Sequence, residues 1–195
     1  MKDNNNLENK YSALPDIIKE ELDILFVGYN PGKQSAIAGH HYAGSSNRFW
    51  KLLFESGLTP YKMSPHEDIK LLEFGYGSTN LIPRMTRSAS EITPAEFREG
   101  SLVLEKLIKR IRPKVVCFVG IGVYRAFASN LLGIPERKIN IVTGEQGESL
   151  IAGVIDFVCS NPSGLNVIPY RCQLECFVNL RKLVNTRFRG IVNGS

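Results

Sequence analysis

Short apolar runs alternate with amphipathic stretches along the chain, the pattern expected when buried strands of a largely parallel sheet are joined by helices. Residues 23–29 (DILFVGY) read as a first strand, because so unbroken an apolar run suits burial on both faces. A glycine-rich segment follows, and Ser45 or Ser46 is placed to cap a helix carrying Phe49, Trp50, Leu53 and Phe54. Residues 78–82 read as a short strand. The best marked helix start comes next: Thr93 as cap, Pro94 at the first helical position and Glu96 three residues after the cap form a capping box. Its core face is Phe97, Leu104, Leu107, Ile108 and Ile111, and Pro113 marks its end. Residues 114–120 (KVVCFVG) read as another buried strand, 123–132 as a helix, 154–159 as the last central strand and 173–184 as the final helix. No internal repeat is present. The fold class expected is α/β, a three-layer α/β/α sandwich round a central, mostly parallel sheet. Its domains are a flexible N-terminal extension over 1–22 with a short helix near 16–21, one domain over 23–188, and a tail over 189–195.

Composition narrows the class. With 195 residues, 43% of them hydrophobic and 22% charged, the chain suits one compact domain. No apolar run approaches bilayer length, and the start (Met1-Lys2-Asp3-Asn4-Asn5-Asn6) lacks a secretory signal's apolar stretch, so an intracellular, non-membrane protein is expected. The four cysteines fit that compartment as reduced thiols. A four-cysteine iron–sulfur cluster is the competing reading, and the usual short paired spacings are missing. The net charge of +5 is compatible with a polyanionic partner. Its distribution is uneven: residues 1–22 carry three Lys against five acids, whereas Arg171, Arg181, Lys182, Arg187 and Arg189 face Glu175 alone after residue 166. A solvated face on a terminal helix accounts for that run equally well.

Ligands of such sheets bind beyond the carboxyl ends of the strands. Two turns stand there: Gly28-Tyr29-Asn30-Pro31-Gly32 after the first strand, and Asn161-Pro162-Ser163-Gly164-Leu165-Asn166 after the last. Each sets Asn beside Pro and Gly, which fix a tight turn and let a ligand approach the backbone. Either alone is ordinary turn chemistry; their pairing carries the weight.

With these residues, the sequence resembles the mismatch-specific uracil and thymine DNA glycosylases of the uracil-DNA glycosylase superfamily. The family's Gly-x-Asn-Pro-Gly stands as Gly28 to Gly32, and its Asn-Pro-Ser-Gly-Leu as Asn161 to Leu165. Between them, residues 39–44 (GHHYAG) with 47–51 (NRFWK) are similar to the pocket segment, and Gly77-Ser78-Thr79-Asn80 to a further block. The match runs in motif order over residues 20–185.

The resemblance implies an enzyme that swings a nucleotide out of the duplex and hydrolyses the bond between base and sugar. It implies that Asn30 holds the attacking water, by positioning and not as a base, since an amide does not take up a proton as a carboxylate does. Gly28, the backbone N–H of Tyr29, Thr79 and Asn161 would bind the base, Tyr42 would stack on it, and Ser35 would line the corner where thymine carries its methyl group. Leu165 would plug the gap in the duplex, with Ser163, Gly164 and Asn166 about it; His41 (with His40) and Arg171 would touch the sugar-phosphate backbone. No metal or cofactor is implied, and the partner is double-stranded DNA holding uracil or a mismatched base, bound by a monomer. More powerful superfamily members use Asp at the first site and His in the second motif; neutral amides here imply a slow enzyme that relies on a good leaving group. Where some members carry an Arg that pairs with the orphaned guanine, this chain has Asn166 and Val167, so backbone groups near Gly164 and Asn166 are left to read that base. The rival readings are a nucleotide- or phosphate-binding module and a damage-binding protein that flips bases without cutting. The Gly28 to Gly32 turn lacks both the Gly-Lys-Ser/Thr ending of a phosphate loop and the three-glycine dinucleotide spacing.

Overall fold

The computed structural model describes residues 13–86 and 89–190. Five strands form one sheet in the order β2-β1-β3-β5-β4: β1 (Ile24–Gly28), β2 (Tyr76–Asn80), β3 (Val115–Val119), β4 (Gly144–Glu145) and β5 (Ile155–Cys159). The first three and β5 run parallel, and β4 is an antiparallel edge on β5. Every residue of β1 and β3 is buried, which is why their sequences lack a polar alternation. Successive side chains then feed two separate cores. Ile24, Phe26, Val115 and Cys117 join Phe49, Trp50, Leu53 and Phe177, from α2 (Phe49–Glu55) and α5 (Tyr170–Val184), α1 being the short helix Lys33–Ala38 that follows β1. Leu25, Val27, Val116 and Phe118 join Leu104, Ile108 and Phe127 on the other face, from α3 (Pro94–Ile111) and α4 (Ile121–Leu132). The three layers expected from the sequence are present.

The capping box forms as read. Thr93 Oγ1 accepts from the Glu96 N–H at 3.3 Å, and Glu96 Oε2 accepts from the Thr93 N–H at 2.9 Å. The helix stops at Arg112, which turns into the left-handed region (φ 47°) ahead of Pro113. Inside α3, Gly100 is required by contact: a Cβ there would overlap the Leu81 carbonyl oxygen. Gly100→Ala should therefore destabilise the fold by about 1–3 kcal/mol despite better helix propensity, read as a lower denaturation midpoint.

Three local readings change. The cap at the start of α2 is neither Ser45 nor Ser46; Asn47 Oδ1 accepts the Phe49 N–H at 2.9 Å. The short helix near 16–21 does not form. Ile17 instead makes an antiparallel bridge with Ser78, exchanging two 2.8 Å hydrogen bonds, so the segment covers the edge that β2 would leave open. With Leu14, Ile17 and Leu22 buried, the stretch from 14 to 22 is packed structure and not a loose extension, while residues 1–12 lie outside the described part. At the other end Arg189, expected to begin a tail, binds Asp23 through Nη2 and Nε, and Lys114 Nζ reaches the same carboxylate at 2.7 Å. Burial pushes the Asp23 carboxyl up, but these two cations outweigh it and hold its pKa below the usual value. Residues 191–195 lie outside the described part.

Candidate active site

The turns after β1 and β5 meet. Gly28, Tyr29, Asn30, Ser35, Tyr42, Asn161, Ser163, Gly164 and Leu165 line one cleft of about 780 Å³ at the carboxyl ends of the strands. This is where an open α/β sheet holds ligands. No acidic side chain lines the cleft among the described residues; its polar side chains are amides and hydroxyls, with the His41 imidazole and the exposed Lys33.

The side chain of Asn30 is oriented by a partner that sequence reading did not name. Its Nδ2 donates to Thr86 Oγ1 at 2.9 Å, across 56 positions of sequence. An amide anchored through its nitrogen has its oxygen turned the other way, as an acceptor for a water proton.

At β2 the structure brings Asn80, and not the expected Thr79, to the cleft. Thr79 Oγ1 donates to Asp16 Oδ1 at 2.6 Å and lines a second, smaller cavity of about 270 Å³ that shares Leu14 and Asn80 with the first. Its neighbour Asn80 lines the cleft instead, with Oδ1 only 2.5 Å from where a Cβ on Gly28 would stand. Strand alternation explains the exchange, since Ser78 and Asn80 share the face opposite Thr79. Gly28 is thus needed for the approach of Asn80, its φ being ordinary for a strand.

The pocket segment corrects a second expectation. His41 is 2% exposed, and both ring nitrogens are engaged inside the protein. Nε2–H donates to the Pro15 carbonyl at 3.0 Å, so Nδ1 accepts from the Ser78 hydroxyl at 2.9 Å. Burial lowers its pKa, keeping the ring neutral. No polar atom is left for a phosphate, and His41 acts as a rivet between the N-terminal segment and β2. Asp68, itself buried, accepts from the His41 N–H at 2.9 Å and pairs with His40 Nδ1 at 3.1 Å.

This turn sets Tyr42 in the left-handed region (φ 52°). Its ring stacks on Phe49 at 3.7 Å between centroids, with planes 19° apart. The hydroxyl is buried without a hydrogen-bond partner beside Gly28, and burial raises its pKa. The Ser35 hydroxyl accepts the Ala43 N–H at 3.0 Å, which fixes the same turn. Tyr29 packs edge-on against Phe97 at 5.6 Å, and its hydroxyl pKa is raised by burial and by Glu136.

The loop after β5 is braced by its own side chains. Asn161 Oδ1 accepts the Ser163 N–H at 2.9 Å, and Asn166 Nδ2 donates to the Asn161 carbonyl at 2.5 Å. The Arg48 N–H ties the loop to α2 through the Pro162 carbonyl at 2.9 Å. Leu165 projects from it almost fully exposed. Asn166 lines a shallower depression beside the cleft, and Arg171 is exposed in the first turn of α5, outside the cleft lining. Of the cysteines, Cys117, Cys159 and Cys176 lie together in the core with Sγ separations of 3.6 and 3.4 Å. Cys172 is exposed, so the four do not converge on one point. No helix among the described residues is long and apolar enough to cross a membrane.

A solved structure from Methanosarcina acetivorans, a solution NMR structure provisionally described as a uracil DNA glycosylase, shares this fold. It is 18% identical, with a TM-score of 0.58 over 89% of this chain and 98% of that one. The family model "Uracil DNA glycosylase superfamily" matches residues 15–183. That span begins at the segment that covers β2, takes in both cleft turns and ends in α5, and the chain belongs to the uracil DNA glycosylase superfamily.

Proposed function

We propose that this protein is a monofunctional DNA glycosylase of the mismatch-specific uracil/thymine type, which releases uracil and related damaged or mismatched bases from duplex DNA and so starts base excision repair inside the cell. The observation that carries this reading is the convergence of an anchored Asn30 and the Leu165 loop on one cleft without an acid.

A base within a duplex is out of reach, so the nucleotide swings into the cleft and Leu165 fills the space it leaves. The base stacks on the face of Tyr42 opposite Phe49, and the Asn80 amide and the Tyr29 N–H meet its polar edge. As the bond between the anomeric carbon and the ring nitrogen breaks, its electron pair goes to the base, and donors aimed at the base carbonyls stabilise that charge. Water held by Asn30 Oδ1 adds to the anomeric carbon and loses its proton to solvent. With no carboxylate beside it, the sugar's developing positive charge is poorly matched, and the reaction is slow on all but good leaving groups.

The direct test is a duplex holding a single uracil opposite guanine, incubated with protein and then cleaved at abasic sites by alkali. Scission is expected; tight binding without scission would leave a damage-binding protein in its place. Leu165→Ala should lower the ratio of duplex to single-strand activity by about tenfold, because single strands leave no gap to fill. An unchanged ratio removes the plug role.

A further inference from the structure

Tyr42 stands in the left-handed region (φ 52°), where a residue other than glycine persists only when its surroundings impose the conformation. The peptides on either side of it supply that hold. The Ala43 N–H goes to the Ser35 hydroxyl inside the same turn, at 3.0 Å. The His41 N–H leaves the turn for Asp68 Oδ2 at 2.9 Å, 27 positions further along the chain. The other oxygen of that carboxylate, Oδ1, pairs with His40 Nδ1 at 3.1 Å, and the His40 and His66 rings meet edge-to-face at 4.8 Å between centroids. Asp68 is 6% exposed, and a carboxylate taken from water needs partners that replace it. Both partners of this one belong to the turn that carries Tyr42. Asp68 is itself fixed by a 3-10 segment, Pro65–Phe74, which opens on a capping box with the Ser64 N–H donating to Glu67 Oε2 at 2.9 Å. No residue of that segment lines the cleft, so Asp68 works on it from outside.

We propose that Asp68 is a positioning residue of the base pocket: it fixes the backbone on which Tyr42 stands, and with it the plane that the extruded base meets. This rests on the glycosylase reading above. The Tyr42 ring lies flat on Phe49 and lines the cleft. With the His41 N–H released, residue 42 relaxes to an ordinary negative φ, its Cα–Cβ bond swings, and the ring leaves the Phe49 face. The loss then falls on holding the base, because the surfaces that hold the rest of the duplex are other parts of the molecule.

The test is binding to two duplexes that are not cut. One holds 2′-fluoro-arabinouridine opposite guanine, whose electron-withdrawing fluorine blocks departure of the base; the other holds a tetrahydrofuran abasic analogue in its place. Asp68→Ala should weaken binding to the first about tenfold and leave the second within about twofold. Asp68→Asn should restore the first, since its amide oxygen still accepts the His41 N–H. Equal losses on both duplexes, or no loss on either, overturn the proposal. In a Tyr42→Ala background Asp68→Ala should add nothing, and additive losses overturn it as well. Amide exchange reads the same hold without DNA. Asp68→Ala should speed exchange at His41 and Ala43 about tenfold or more while β1 and β3 stay protected, and unchanged exchange at those two amides overturns the hold. If Asp68→Ala does not fold, Asp68→Glu, which displaces the carboxylate by one methylene, takes its place in each comparison. Should wild type release no uracil even from single strands, the glycosylase reading fails by itself, and the exchange experiment still decides whether Asp68 holds the turn.

Discussion

Asn30→Ala is expected to slow uracil release by roughly a hundredfold or more while duplex binding survives, because the loss falls on the placement of water and not on the surfaces that hold DNA. In steady-state terms kcat drops and KM stays near its starting value. Thr86 sharpens the expectation. If its hydroxyl acts by holding the Asn30 amide at 2.9 Å, Thr86→Ala should lower kcat by a smaller factor than Asn30→Ala, Thr86→Ser should restore it, and the double variant should be no worse than Asn30→Ala alone. Additive losses would place Thr86 in a separate task. Full activity in Asn30→Ala would leave the cleft without its proposed water site.

The largest loss of stability is expected at Phe49. This ring is fully buried, meets Phe26 and Trp50 edge-on at 5.2 Å, and carries Tyr42 flat against it. Phe49→Ala removes one of the largest side chains from a core closed by two helices and the sheet, and should cost about 3–5 kcal/mol in urea denaturation at neutral pH. Phe49→Leu should cost less, since more of the volume is kept. Under conditions where Phe49→Leu is fully folded, its KM for uracil-containing DNA should still rise, because Tyr42 has lost the surface that sets its plane. A variant as stable as wild type would mean that the ring is poorly packed.

Much of the fold was legible because burial on both sides leaves an unmistakable mark. The runs around Val27 and Val116 are apolar at each step, and the run around Val158 is broken only by Asp156, a pattern that suits strands buried on both faces. Thr93, Pro94 and Glu96 were legible because a capping box is local chemistry. What failed was long-range. Whether Thr79 or Asn80 faces the cleft depends on the pleat of β2, and a strand that starts at Tyr76 and not at Ser78 gives no apolar alternation to count by. Thr86 carries no local sign at all, since its meaning comes from a residue 56 positions away. His41 read as a surface histidine because Pro15 and Ser78, the groups that engage both its nitrogens, come from two other segments. The polar look of the N-terminal stretch hid the spacing of Leu14, Ile17 and Leu22 that packs it down. The two cleft turns were found because tight turns demand Gly, Pro and Asn whatever the rest of the molecule does.

The cleft draws its walls from Leu14 near one end of the described chain and Leu165 near the other, with Asn80 and Gly120 between. No contiguous fragment contains it. A fragment that ends before the loop after β5 would hold the turn proposed to place water but not the proposed plug, and is expected to release no base. On refolding from urea, recovery of base release should lag behind recovery of helical signal, because it waits for pairings between strands far apart in sequence.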